Sequence, residues 1–319
     1  MLPVINLLTS PRWTDYELLD SGDGQKLERF GPYTFIRPEV QSMWAKSLPA
    51  GMWQAAHATF QPSGEESGGR WVFRKKVPAQ WVLSYPFNNE AISNPSIGDP
   101  QVKKELRFAV MTSPGRHLGV FPECAGQWDW IQEQICTAGA ISTPGSTPVQ
   151  VLNLFGYTGL ATLACAACGA KVTHVDASKK SVGVARENQA LSGLSEKPVR
   201  WIVDDALKFV EREARRGVKY DGILLDPPKF GRGPKGEVWE IFASLPALLQ
   251  ACRSVLSEHP LFVVLTVYAV KLPAIHAYQA LAGMMDGIGG KSECGELVTE
   301  ERSAGRLLSQ AVYARWSSQ

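Results

Sequence analysis

The 319-residue chain has no apolar run approaching the roughly 20 residues that a membrane span requires. Its opening residues, Met1 to Ser10, contain no basic residue and no small-residue cleavage site, so a secretory leader is not expected. Cysteine is scarce: the 6 thiols, at positions 124, 136, 165, 168, 252 and 294, are scattered. This argues against a disulfide scaffold and predicts a reducing, cytoplasmic setting. Neither sign of charge dominates, since Lys+Arg 33 against Asp+Glu 31 leaves a net charge of +2. That balance excludes a partner held by bulk charge and leaves room for a local basic patch. Internal repeats and low-complexity tracts are also missing. At 45% hydrophobic and 20% charged residues the chain is too apolar for global disorder.

What is there divides near residue 148. The stretch from Ile141 to Pro148, ISTPGSTP, reads as a linker or surface loop. Before residue 149 there are 13 Lys+Arg and 14 Asp+Glu, and after it 20 and 17, so neither half is strongly charged. Seven of the ten tryptophans lie before the linker. The early segment predicts short strands at Tyr16 to Leu19, Gln25 to Phe30, Tyr33 to Ile36, His57 to Gln61 and Arg70 to Val77. Turn signals such as SGDG and PSGEESGG separate them, and this spacing suggests a small sheet or barrel. Its tryptophans fit either a base-stacking surface or, more commonly, a core. The cluster Arg70, Arg74, Lys75 and Lys76 fits either phosphate contact or a solvated strand edge.

The second half alternates strands with helices, which predicts a doubly wound, mainly parallel sheet. Strands are expected at Val149 to Leu154, Lys171 to Val175, Val199 to Val203, Tyr220 to Leu225 and Leu261 to Val267. The closing runs, Glu296 to Thr299 and Leu307 to Trp316, have only a loop between them and must be antiparallel. The fold class is therefore α/β, a Rossmann-like sheet with a terminal antiparallel strand and a smaller β-rich N-terminal part.

Such sheets bind ligands beyond the carboxyl ends of their strands. Glycine or acidic features stand at four of those ends: Asn153-Leu-Phe-Gly-Tyr-Thr-Gly159, Asp176, Asp204-Asp205-Ala206 and Asp226-Pro-Pro-Lys-Phe230. Any one carboxylate is a natural helix cap, but four in register call for a ligand. The glycine turn lacks a full G-x-G-x-x-G, and no P-loop occurs. A nucleoside without phosphates suits this turn better than a dinucleotide.

NLFGYTG, VDAS, the DA of DDA, and DPPKF, in this order and spacing, resemble the class I S-adenosylmethionine-dependent methyltransferases. More narrowly, they are similar to the bacterial 23S rRNA large-subunit methyltransferase group. His117-Leu-Gly-Val-Phe-Pro-Glu123 is similar to the phenylalanine-and-acid motif that precedes the catalytic domain in that group. The resemblance runs from about residue 105 to 316. It implies S-adenosylmethionine as cofactor, with Phe155, Gly156, Tyr157 and Gly159 around the methionine part. Asn153, Thr158, Ala177 and Ala206 stand at motif positions beside them. Asp176 is expected to hold the ribose hydroxyls and Asp205 the adenine amino group. Asp226, Pro227, Pro228, Lys229 and Phe230 are expected to face the methyl group and the target base. Phe121, Pro122 and Glu123 are expected to close over the cofactor. The group often has Gln after that acid, where this chain has Cys124. The implied organisation is an accessory, RNA- or substrate-binding unit over residues 1–100, a connecting α/β segment over 101–148 and the methyltransferase domain over 149–319.

Members that methylate carbon 5 of cytosine need a thiolate, because that carbon is a poor nucleophile. Their cysteine commonly follows the fifth strand, where this chain reads Leu265-Thr-Val-Tyr-Ala269. Cys252 and Cys294 read as core, and Cys165-x-x-Cys168 lacks a second pair at zinc spacing, so no metal is expected. Direct transfer to a nitrogen that brings its own lone pair is the expected chemistry. The partner expected is RNA, ribosomal RNA in the first place, with phosphates resting on Lys229, Arg232 and Lys235. These three cations also fit a solvated loop. A small-molecule or protein substrate, or a non-catalytic RNA-binding assembly factor, are the alternatives. Nothing in the sequence indicates the oligomeric state.

Overall fold

The structure, a computed structural model, describes residues 2–63, 68–87, 105–112, 115–141, 147–268 and 272–318. Part of the PSGEESGG turn (64–67), most of the 141–148 linker (142–146) and Ala269 lie outside the described residues.

The large sheet is built from β9 (Gln150–Leu154), β10 (Lys171–Asp176), β11 (Val199–Val203), β12 (Gly222–Leu225), β15 (Phe262–Tyr268), β16 (Lys291–Glu300) and β17 (Leu307–Ser317). Strand β1 (Ile5–Leu8) completes it, and the order is β1-β16-β17-β15-β12-β9-β10-β11. β11, β10, β9, β12 and β15 are mutually parallel, and β17 runs antiparallel to both β15 and β16. The expected antiparallel closing pair is present. Its first strand begins earlier than Glu296, and its register shifts between Leu297 and Val298. The β12 segment GILL is buried throughout, as expected of a central parallel strand covered on both faces. Helices α2 (Ala125–Ile141) and α3 (Leu160–Ala167) bury Ile131, Ile135, Cys165 and Ala166 against one face, with Val151, Val172 and Val264. Helices α5 (Ala206–Arg215), α6 (Ile241–Ser254) and α7 (Ala274–Met284) cover the other with Phe209, Leu248 and Leu281. Between β10 and β11 runs α4 (Lys179–Leu191), whose cap Ser178 accepts from the Ser181 amide. Gly169, in the left-handed region at φ 86°, ends the α3 turn.

The N-terminal strands form a five-stranded sheet in sequence order: β2 (Tyr16–Gly22), β3 (Gln25–Phe30), β4 (Tyr33–Pro38), β5 (Ala58–Pro62) and β6 (Gly69–Phe73). All its pairs are antiparallel except β4–β5, whose connection passes through α1 (Ala50–Gln54). A separate antiparallel pair joins β7 (Gln80–Pro86) to β8 (Glu105–Met111). The tryptophans here take the core reading. Trp13, Trp53, Trp71 and Trp81 donate their indole N–H groups to Pro122 O, Asp20 Oδ2, Gly115 O and Phe30 O. Trp81 also stacks on Phe35 at 5.6 Å. Two of the basic residues are likewise structural, with Arg74 and Lys75 donating to the Gln54 and Ala55 carbonyls at the end of α1.

Two features fasten this sheet to the large one. Strand β1 pairs in parallel with β16, placing Ile5 beside Cys294 and Leu8 beside Leu297. The loop after β16 buries Glu301, which accepts from Ser21 Oγ, Ser303 Oγ and Arg306 Nε. Asp20 Oδ1 lies 2.7 Å from the same Ser303 hydroxyl, whose one proton the two carboxylates share. No helix among the described residues is long and apolar enough to cross a membrane.

Candidate active site

The strand order reverses between β9 and β12, so the crevice opens outside their carboxyl ends. Leu154 and Leu225 are register partners there, and Phe155 and Asp226 follow them directly. One cleft at this point is lined by Phe121, Asn153, Phe155, Gly156, Tyr157, Thr158 and Asp226. These residues, widely separated in sequence, are thereby brought together.

The glycine turn is built on strain and close approach. Phe155 and Tyr157 occupy the left-handed region at φ 57° and 49°, unusual for bulky side chains. Gly159 continues it at φ 85°. A Cβ on Gly156 would stand 2.4 Å from the His174 ring, so only glycine fits. Beneath the turn, Asn153 Nδ2 donates to Thr162 Oγ1 at 2.8 Å, and Thr162 Oγ1 meets His174 Nδ1 at 2.9 Å. Burial pushes His174 down to about 3, so the imidazole is neutral and Thr162 can donate to it. Thr158 Oγ1 donates to the Gly119 carbonyl at 2.8 Å, tying the turn to the Leu118–Val120 segment.

Asp176 and Asp205 are positioned by backbone amides. Asp176 accepts from the Tyr157 amide at 2.9 Å and the Ser178 amide at 2.8 Å. Each of its oxygens keeps a lone pair for a ribose hydroxyl. Asp205 caps α5 by accepting from the Lys208 amide at 3.0 Å through Oδ1. Asp204 is structural, since it accepts from the Asp205 amide and pairs with Arg212 at 2.5 Å. Ala177 is half-buried after β10, and Ala206 is buried in the first turn of α5. Asp226, raised chiefly by burial and then by Glu123 and Asp176, is pushed up to about 8. Burial likewise raises Glu123 and Asp176.

The turn Phe121–Cys124 approaches from the other side. Its ring Phe121 stands 5.7 Å from Tyr157 and 4.9 Å from Tyr268. A strap from the N-terminus holds this turn. Ser10 Oγ accepts from the Gly126 amide at 2.9 Å and donates to the Glu123 carbonyl at 3.2 Å, while Trp13 holds the Pro122 carbonyl.

The DPPKF loop is held by a short hairpin, β13 (Phe230–Arg232) and β14 (Val238–Glu240), where the sequence also fitted a solvated loop. Trp239 Nε1 donates to the Pro228 carbonyl at 2.6 Å, which gives that carbonyl a structural partner. Phe230 is 54% exposed at the rim, and Arg232 and Lys235 are exposed on the hairpin and its tip.

Sequence reasoning missed several lining residues. Cys124 lies in the cleft, its Sγ 2.6 Å from Tyr268 Oη. Burial, then Asp226 and Glu123, raise its thiol well above the ordinary range. Gln127, one helical turn beyond Glu123, donates to Thr266 Oγ1 at 2.9 Å. Only the substitution of Cys for Gln at 124 pointed toward these; the rest depend on long-range packing. Cys252 and Cys294 are core residues, as expected.

A cationic nucleoside fits this lining. Glu123 Oε2 and Gln127 Oε1 are buried acceptors without a partner. Neither Glu123, Asp176 nor Asp226 has an ion-pair partner among the described residues. A sulfonium and an ammonium would supply the missing positive charge.

Comparison with known proteins agrees. Residues 129–251 match a family described as Conserved hypothetical protein 95. The ribosomal RNA large subunit methyltransferase I of Klebsiella pneumoniae (strain 342) is 39% identical over 82 residues, 25% of this chain and 20% of that protein. The ribosomal RNA large subunit methyltransferase K/L of Shewanella sp. (strain ANA-3) is 41% identical over 90 residues, 28% and 13% of the two chains. The chain thus spans a fifth or less of the length of these curated relatives. A crystal structure of the SAM-dependent methyltransferase from Agrobacterium tumefaciens is 42% identical with a TM-score of 0.86, covering 99% of this chain and 94% of that one. With that extent of shared sequence and fold, the chain belongs to the S-adenosylmethionine-dependent methyltransferases.

Proposed function

We propose that the protein methylates a base of RNA, ribosomal RNA in the first place, by direct transfer without a covalent enzyme intermediate. The observation that carries this reading is Asp226, a partly buried carboxyl at the strand-order reversal, near the exposed aromatic Phe230 and the exposed cations Arg232 and Lys235. Two curated relatives, matching 82 and 90 residues of the chain, are named for ribosomal RNA. When bound, S-adenosylmethionine supplies a methyl group made electrophilic by its sulfonium.

The protein's part is to hold a nucleophile in line and to manage one proton. The Asp226 carboxylate and the Pro227 carbonyl accept from an amine or ring N–H of the target, while Pro228 holds the loop through Trp239. A nitrogen held there would take the methyl group through its own lone pair, and the cofactor would leave as a neutral thioether. The surplus proton on nitrogen passes to Asp226, which the positive charge of the bound cofactor would hold as the carboxylate and whose raised proton affinity then suits an acceptor. Phe230 stacks on the target ring, and Lys229, Arg232 and Lys235 rest against phosphates. Phe121, Pro122 and Glu123 close over the methionine part, with Phe155 to Gly159 beneath it, and Asp176 and Asp205 hold the ribose and adenine. The accessory unit expected over residues 1–100 contributes to RNA or substrate binding in this reading. A cysteine mechanism is disfavoured by the raised Cys124 thiol and by the core placement of Cys252 and Cys294.

The test is methyl transfer from labelled cofactor to rRNA fragments, free nucleosides and small proteins. We expect transfer to rRNA fragments, reduced at least 100-fold in Asp226→Ala, and no covalent adduct with 5-fluorocytosine RNA. Full activity in Asp226→Ala, or a trapped adduct, overturns the mechanism. Preference for a nucleoside or protein overturns the substrate.

A further inference from the structure

The hairpin that follows the DPPK residues has two chemically distinct faces. Its register pairs Phe230 with Glu240, Gly231 with Trp239 and Arg232 with Val238. Cross-strand partners share a face, and residues two apart on one strand do as well. Gly231 and Trp239 therefore point inward, and Phe230, Arg232, Val238 and Glu240 lie on the outer face, the Glu240 carboxylate being taken up by the Ala243 amide. Exposure agrees: Trp239 is 6% exposed, whereas Phe230 and Val238 are 54% and 62% exposed.

The inner face is joined to the active-site loops. The Trp239 ring packs on Phe155 of the glycine turn at 4.9 Å, and its N–H donates to the Pro228 carbonyl. The far end is pinned as well. Gly233 N donates to the Glu237 carbonyl, and the Glu237 carboxylate accepts from the Lys235 amide and pairs with Lys208 on α5 at 2.8 Å. This helix is the one Asp205 caps. An arm anchored at both ends holds its outer face in one place beside the site.

That outer face combines exposed apolar surface with free cations. Arg232 and Lys235 have no ion-pair partner among the described residues. Single exposed apolar side chains are common and carry no meaning alone. Two of them interleaved with an unpaired arginine, directly after Asp226-Pro-Pro-Lys229, complement a polyanion whose bases present flat apolar faces.

We propose that this hairpin is a substrate-reading arm. Its outer face takes the nucleotide next to the target, with Val238 against the base and Arg232 and Lys235 against the flanking phosphates. Its inner residue Trp239 is a positioning residue that makes the set of the Pro228 loop depend on how the arm is seated. The inference rests on the RNA reading above.

The experiment measures binding of labelled 23S rRNA fragments by filter retention across a salt series. It adds S-adenosylhomocysteine binding by calorimetry and single-turnover methyl transfer. Arg232→Ala/Val238→Ser, confined to exposed positions, is expected to weaken RNA binding about tenfold. It should also lower the magnitude of the salt slope by about one and leave S-adenosylhomocysteine binding unchanged. Trp239→Phe, which removes only the indole donor, is expected to slow single-turnover transfer about tenfold at unchanged affinity for both ligands. Wild-type affinity and slope in the double variant overturn the arm while leaving the RNA reading intact. Equal losses of melting temperature, ligand affinity and rate in Trp239→Phe reduce that residue to packing. A wild-type protein with no affinity for the fragments overturns both readings.

Discussion

Gly156 and the His174 imidazole are in contact across the floor of the glycine turn, where a Cβ would stand 2.4 Å from Cε1. The ring cannot retreat easily, because its Nδ1 is held by Thr162 and its face packs on Trp201 at 4.7 Å. The Phe155–Gly159 geometry is therefore set from below by a buried, neutral histidine.

Gly156→Ala should cost about 1–3 kcal/mol of stability by overpacking and weaken S-adenosylhomocysteine binding at least tenfold. Chemical denaturation and calorimetry read the two effects. Gly183→Ala, in the interior of α4 with nothing within 4 Å of the added Cβ, serves as the contrast and should stabilise by about 0.5–1 kcal/mol. Unaltered ligand affinity in Gly156→Ala would show that the turn does not rest on His174.

Asp226 sets a pH dependence whose sign can be worked out. Its carboxyl moves from an ordinary 3.8 to about 8 on folding, so between those values the folded chain holds a proton that the unfolded chain has released. The contribution of this group to stability is full below about pH 4 and is lost as pH rises toward 8. A ligand with a fixed positive charge favours the carboxylate. Affinity for S-adenosylmethionine should therefore rise from pH 6 to 9, more steeply than affinity for S-adenosylhomocysteine, which lacks the sulfonium. Asp226→Asn should flatten the difference. Calorimetry across pH tests it, and parallel slopes for the two ligands in the wild-type protein would refute the assignment.

The strap across the Phe121–Cys124 turn offers a second handle on cofactor binding. Ser10 bridges the Gly126 amide and the Glu123 carbonyl, and Trp13 holds the Pro122 carbonyl. With a net worth of about 0.5–1.5 kcal/mol per hydrogen bond, Ser10→Ala and Trp13→Phe should each weaken S-adenosylhomocysteine binding roughly two- to tenfold. Calorimetric affinities at the wild-type level in both variants would mean the turn keeps its shape unaided.

The sheet and its carboxylates were legible in the sequence because each depends on a local signal. Runs such as VLNL and GILL stand between helical stretches, and Asp176, Asp205 and Asp226 directly follow or lie within a few residues of strand ends. The hairpin at Phe230–Glu240 escaped because three-residue strands are too short to establish a period, and its glycines imitate a loop. Strand β1 escaped for another reason: INLL becomes a strand only through a partner that lies near the end of the chain. Cys124, Gln127, Tyr268 and Trp239 acquire their roles from contacts between distant segments. The tryptophan-rich first half offered two readings, and hydrogen bonding of the indoles to the protein interior favours the core.

The pairing of Ile5 with Cys294 also imposes an order on assembly. During synthesis the segment Val4 to Leu8, which carries no charge, leaves the ribosome long before the hairpin that receives it. The outer edge of the large sheet can close only once the chain through Ser317 has been made. Until then an uncharged, strand-forming segment stays unpaired, and that interval exposes it to pairing with other chains.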